Sequence, residues 1–184
     1  PVANASGSSY DSFGFSVSDG VLDSTPPNTM TINVTAVNDP PTAGDSTVIT
    51  DEDIAYTFTA ADFNFGDVDG DPLVSVRISL LPATGMLQLS GVDVTLDQVL
   101  SRAEIDAGNL TFVPFADGNG VAYASFGFVV SDGSLEATGA STMTVDVVPV
   151  NDAPVITSSG GSLNATVHVS GILSTVATIE ATDA

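Results

Sequence analysis

The stretch "YDSFGFSVSDG" at residues 10–20 returns as "YASFGFVVSDG" at residues 123–133. Tyr10 and Tyr123 lie 113 residues apart, and sliding the chain on itself by that distance matches residues 10–41 with 123–154 at 19 of 32 positions without a gap. Pro1 falls on Pro114, and the match ends in "VNDPP" (37–41) and "VNDAP" (150–154). A period of 113 is too long for a stacked solenoid unit and is the size of one small domain. The chain therefore reads as a tandem array cut out of register. Residues 1–37 form the C-terminal part of one repeat, 38–150 a complete repeat, and 151–184 the N-terminal part of another that has diverged.

Within the complete repeat the apolar period is two, the signature of half-buried strands. "IAYTFTA" puts Ile54, Tyr56, Phe58 and Ala60 on one face, and "LVSVRIS" puts Val74, Val76 and Ile78 inward with Arg77 outward. "ASFGFVVS" turns Phe126, Phe128 and Val130 inward, and "STMTVDVV" does the same with Met143, Val145 and Val147. Leu87, Leu89, Leu110 and Phe112 come from two shorter runs, and Asp-Gly, Asn-Gly and Thr-Gly turns separate the segments. About seven short strands in about 110 residues predict an all-β, Greek-key β-sandwich. One stretch departs from the pattern. "TLDQVLSRAEIDAG" sets Leu96, Val99 and Leu100 at helical spacing, with Thr95 as N-cap and Gly108 past the end, and predicts one short helical turn bridging the sheets.

Charge narrows the class of partner. There are 23 acidic residues against two basic ones, Arg77 and Arg102, for a formal net charge of -21. Phosphate recognition needs clustered Lys and Arg, so nucleic acid is excluded as a natural partner and anionic membrane is disfavoured. No apolar run approaches the roughly 18 residues that span a bilayer, so no direct membrane insertion is expected. The opening "PVANASGS" reads as the interior of a domain rather than a signal peptide. With 43% hydrophobic residues the chain has material for a core, and with no cysteine it has neither disulfides nor thiolate sites.

In combination, "VNDPP", "DEDIAYTFTA", "FGDVDGDPL", "AEIDAGNLTFVP", "FGFVVSDG" and "VNDAP" resemble the cadherin-like and chondroitin-sulfate-proteoglycan-like tandem repeats of giant bacterial surface adhesins exported by type I secretion. The resemblance covers residues 38–150 and the matching tail 1–37. It implies an immunoglobulin/cadherin-like sandwich, an extracellular location at the bacterial cell surface or after secretion, and Ca2+ at the junctions between repeats. By that resemblance Asn38 and Asp39 are linker ligands at the first junction, joined by Asp67, Asp69 and Asp71 from the following domain. At the second junction Asn151 and Asp152 take the linker role, Asp183 the following-domain role, and Glu52, with Asp51 or Asp53 beside it, the preceding-domain role.

The residues themselves point the same way. Asp67, Asp69 and Asp71 crowd three carboxylates into five positions, and like charges this close raise one another's pKa unless a cation neutralises them. Calcium takes six to eight oxygens at flexible geometry, which Asp-rich turns supply. The EF-hand pattern fails, because Pro72 and Ile78 stand where Gly and Glu are required. The competing structural reading is that Asp-Gly turns are simply good turns, and it is preferred for Asp19 and Asp132. His168 is alone and without cysteine, which disfavours a transition-metal site. No Gly-x-Ser-x-Gly elbow exists, and no Trp offers a sugar platform, so an enzyme is not expected.

Three functions follow in order. The chain is a spacer and adhesion repeat whose partners are neighbouring repeats of the same polypeptide. As the alternative it is a β-sandwich module binding glycans or other surface proteins. The cut ends add a minor route, in which two molecules complete one another head to tail by strand addition.

Overall fold

The computed structural model describes residues 1–152 with their side chains, and the backbone of 155–156 and 181–182. His168 and Asp183 lie outside the described residues. The described strands run in chain order as β1 (Gly7–Phe15), β2 (Asn28–Val34), β3 (Thr42–Ala43), β4 (Ser46–Asp51), β5 (Tyr56–Thr57), β6 (Phe65–Gly66), β7 (Ser75–Leu80) and β8 (Met86–Leu89). They continue as β9 (Val92–Asp93), β10 (Val99–Ser101), β11 (Leu110–Val113), β12 (Gly120–Ser131), β13 (Ser141–Val148), β14 (Val155–Ile156) and β15 (Ala181–Thr182). The last two pair antiparallel.

Residues 38–150 fold into a two-layer sandwich. One sheet has the order β10-β7-β12-β13-β4 and the other β5-β11-β8-β9, while β3 and β6 make a small separate pair. The described pairings are antiparallel except one, in which the last strand β13 lies parallel to β4 from Met143↔Ser46 to Val148↔Asp51. The alternating residues fill the space between the layers as their period requires. Phe58, Val76, Ile78, Phe112, Phe126, Phe128, Val130, Met143 and Val145 are completely buried. Their rings meet edge-on, Phe58 with Phe126 at 5.5 Å and Phe63 with Phe128 at 5.1 Å, the arrangement that the aromatic quadrupole favours. Ile54 and Val74 are exceptions to the expected inward face. Each sits just outside its strand and is exposed.

The expected helix exists, shifted along the chain. Residues 95–98 form a turn closed by Gln98 N–H donating to the Thr95 carbonyl at 3.1 Å. Residues 99–101 then pair with β7 as strand β10. The helix α1 is Arg102–Asp106, capped by Ser101, whose Oγ accepts from Glu104 N–H while Glu104 accepts from Ser101 N–H at 2.8 Å. Ser-x-x-Glu is a capping box, and it outcompetes Thr95. The open edge of β7 claims Val99–Ser101 first, leaving Leu96 and Val99 in solvent and Leu100 in the core. The far end is as expected, with Gly108 at φ +73 following the helix.

The hairpin β1–β2 is a second copy of β12–β13. Each of its six register pairs, from Gly7↔Val34 to Phe15↔Asn28, recurs 113 residues later, from Gly120↔Val147 to Phe128↔Ser141, with the bulge at the same place. Non-glycine residues with positive φ recur as well, Asn4 with Asp117 and Ser9 with Ala122.

Candidate junction sites

The linker is held by carboxylates on both sides. At the start of the complete repeat, Asn38 donates from Nδ2 to Asp132 Oδ2 at 2.8 Å, and Asp39 N–H donates to Asp69 Oδ2 at 2.8 Å. Asp69 belongs to the turn of residues 67–71, which winds around the Asp67 carboxylate. Asp67 Oδ1 accepts from the N–H groups of Asp69, Gly70 and Asp71 at 2.8, 3.0 and 3.2 Å. Gly70 at φ +84 makes this winding possible. The other oxygen, Asp67 Oδ2, is shut off from solvent and accepts no hydrogen bond. Buried oxygens of this kind are rare, because each forfeits its hydration.

Asp132, read from sequence as a turn former, has two tasks. Its Oδ1 accepts from Ser134 and Leu135 N–H at 2.6 and 2.7 Å, which closes the "SDG" turn. Its Oδ2 carries the linker. The Asn38 amide, then the Leu135 and Ser134 amides, hold its carboxyl below the ordinary 3.8 against the opposing effect of burial. A folded-state pKa below the unfolded one means that the contact contributes stability above the ordinary carboxylate range. That contribution is lost as pH falls through the lowered native value. Carboxyl carbon shifts of Asp132 are expected to titrate with a midpoint under 3.8, and Asn38→Ala is expected to raise that midpoint. An unmoved midpoint in the variant would mean that Asn38 does not hold the Asp132 carboxylate.

At the far end of the repeat Glu52 is 4% exposed. Its Oε1 accepts from Val150 N–H and its Oε2 from Asn119 Nδ2, both at 2.6 Å, and its own N–H donates to the Val148 carbonyl at 2.9 Å. Glu52 thus fastens the chain as it leaves β13. Beside it Asp53, Asp117 and Asp152 bring one carboxylate oxygen each within 4.8 Å of one another. Among the described residues this is the one such group. Asp53 and Asp117 both have left-handed backbones, at φ +62 and +56, a conformation that Asp tolerates better than most residues. Asp117 N–H also donates to Asp53 Oδ1 at 3.2 Å. Asn151 turns its Nδ2 onto the Asp152 carbonyl at 3.0 Å, as Asn38 does onto Asp39.

The sequence-derived residues therefore separate. Asn38, Asp39, Asp67 and Asp69 gather at the first junction, with Asp71 exposed at the rim of their turn. Glu52 and Asn151 stand at the second, with Asp152 in the acidic trio. Asp51 ends β4 and is exposed. Sequence reasoning missed Asp117, Asn119 and the linker contact of Asp132. The 113-residue shift relates the two junctions, and each displays a part that the other lacks. The first has the linker and the following repeat, and a cleft of about 430 Å³ where Asn4, Ser6 and Val37 face Val68 and Asp69. The second has the linker and the preceding repeat, where Asp117 and Asn119 occupy the positions of Asn4 and Ser6.

Neither arginine serves these sites. Arg77 grips Glu136 through two bonds of 3.0 and 2.8 Å and reaches Asp97 at 3.0 Å, while Arg102 pairs with Asp106 at 3.1 Å. Among the described residues no ion pair reaches Asp39, Asp67 or Asp69.

A two-layer sandwich with β4 and the last strand β13 side by side and parallel, carrying polar clusters where the chain enters and leaves, defines an immunoglobulin-like repeat module. Its interior is filled with apolar side chains, and the linker-holding carboxylates Asp69, Asp132 and Glu52 lie where the chain enters and leaves the sandwich. The chain belongs to the bacterial Ig domain family, whose family model matches residues 38–148. This is a non-catalytic fold type, and its members are typically extracellular or surface-exposed. No helix among the described residues is long and apolar enough to cross a membrane. A search of curated proteins finds no match.

Proposed function

We propose that this chain is a spacer segment of a long bacterial surface adhesin, in which calcium at the inter-repeat junctions fixes the angle between successive sandwiches. The observation that carries the calcium reading is Asp67 Oδ2, a buried carboxylate oxygen with no donor, in a turn that no arginine neutralises. The trio Asp53, Asp117 and Asp152 supports it at the opposite pole. Asp39, Asp67 and Asp69 are the residues to hold an ion at the first junction, with Asp53, Asp117 and Asp152 at the second. All are hard oxygen donors, which suits Ca²⁺ over softer metals. An ion there would supply positive charge where carboxylates of one repeat and its linker converge. Asn38, Asp69 and Asp132 orient the linker beforehand.

Extracellular calcium modules bind at about 10⁻⁴–10⁻³ M, and titration of this chain is expected to fall in that range. Small-angle scattering of a chain with two whole repeats is expected to give a narrow distribution of dimensions in calcium and a broader one in chelator. Asp67→Asn with Asp69→Asn is expected to reproduce the chelator result in the presence of calcium. Identical curves under all three conditions would reduce the Asp-rich turn to a turn.

A further inference from the structure

We propose that one face and both edges of the β1–β2 hairpin form a docking surface for a polypeptide segment built like residues 38–113, joined to Pro1 as Val113 is joined to Pro114. The inference rests on the tandem-array reading and adds the surface, the strands that occupy it and their register.

Two independent features of the hairpin point to this occupant. The first is its apolar face. Phe13, Val17, Met30 and Ile32 are 51, 60, 48 and 40% exposed. Their partners under the 113-residue shift, Phe126, Val130, Met143 and Val145, are all 0% exposed. Backbone register, bulge and backbone turn bonds are the same in the two hairpins, so the difference lies in what covers them. In β12–β13 the cover is the β5-β11-β8-β9 sheet, with β7 and β4 along the edges. A contiguous exposed apolar face bounded by two free strand edges is a surface that proteins ordinarily cover.

The second feature is a glycine. Gly127 is fixed by packing, because a Cβ there would come to 2.7 Å from Ser79 Oγ and 3.0 Å from Leu80 Cβ on β7. Gly14 is its counterpart, and a Cβ there would meet only the Asn28 carbonyl, at 3.8 Å. The hairpin alone has no steric need for glycine at this position. A β7-like strand crossing it does.

The twin also specifies the pairing. β12 takes β7 antiparallel through Gly127↔Leu80 and Ser131↔Ser75, and β13 takes β4 parallel from Met143 to Val148. On the hairpin these become residues 14–18 for the antiparallel strand and 30–35 for the parallel one. Supply within one polypeptide is favoured over a second copy by effective concentration. A second copy, moreover, already has its own residues 38–113 engaged by β12–β13.

The test extends the full chain by a copy of residues 38–113 placed directly before Pro1. The Met30 methyl is expected to lose its accessibility to a soluble paramagnetic probe and to match Met143. Edge amides of β2 are expected to exchange at least about a hundredfold more slowly than in the unextended chain, as amides do on entering a core sheet. Gly14→Val in the extended chain is expected to abolish that protection while leaving the unextended chain folded. Met30 remaining accessible in the extended chain overturns the proposal, and so does burial of Met30 in the unextended chain with a concentration-dependent dimer mass, which assigns the surface to a second copy. The calcium titration above is independent of either outcome, so failure here leaves the spacer reading to stand or fall on its own test.

Discussion

Phe126→Ala is expected to destabilise the complete repeat by about 3–5 kcal/mol, the cost of deleting a large aromatic from a packed core. Phe13→Ala, at the matching position of the first hairpin, is expected to change stability by no more than about 0.5 kcal/mol, as surface substitutions do. The residues are identical, the strands are in the same register, and the exposures are 0 and 51%. Phe126 touches Phe58 edge-on at 5.5 Å and lies 6.5 Å from Phe128, so its loss opens a void among rings that cannot all shift to fill it. Chemical denaturation of the two variants, followed by tyrosine fluorescence or circular dichroism, checks the contrast. Equal losses at both positions would mean that the face of β1–β2 is already covered in solution.

Glu52→Ala is expected to cost roughly 2–4 kcal/mol, because two hydrogen bonds to a carboxylate vanish together. The larger part of that cost is the Val150 N–H and the Asn119 amide left without their acceptor. Hydrogen exchange at Val150 is expected to accelerate in parallel, freeing the linker just before Asn151. Glu52→Gln keeps one acceptor oxygen and is expected to recover about half of the loss. If Val150 stays protected in Glu52→Ala, the linker is fastened by something else. Under the proposed calcium reading the variant also separates two roles for Glu52: a fastening role predicts a small loss of calcium affinity, and a ligand role predicts a large one.

The fold was largely legible in the sequence because its information is local. Inward residues such as Phe126, Phe128 and Val130 announce themselves by alternation. The helix was displaced because spacing within residues 95–108 carries no signal of the open β7 edge that takes Val99–Ser101. A closer reading of Ser101 and Glu104 as a capping box would have located it. The junctions were only half legible. Asp67 and Asp69 declare themselves by crowding, and Asn38 and Asp39 by the repeated linker. Asp117 meets Asp53 from 64 positions away, and Asp132 meets Asn38 from 94. Such pairings arise from the way the sandwich closes and leave no mark on the neighbouring residues.

The parallel contact between β4 and β13 has a mechanical consequence. Chain enters the repeat ahead of β4 and leaves it beyond β13, and the two strands lie side by side over six residue pairs. Tension applied between the two linkers drags these strands past each other along their length. Their hydrogen bonds are then loaded together in shear, instead of parting one after another as in a hairpin opened from its end. With Glu52 tying the exit to the end of β4 through Val150, the pull reaches that ladder before it reaches the core. A module so connected resists stretching most strongly along the line between its two neighbours.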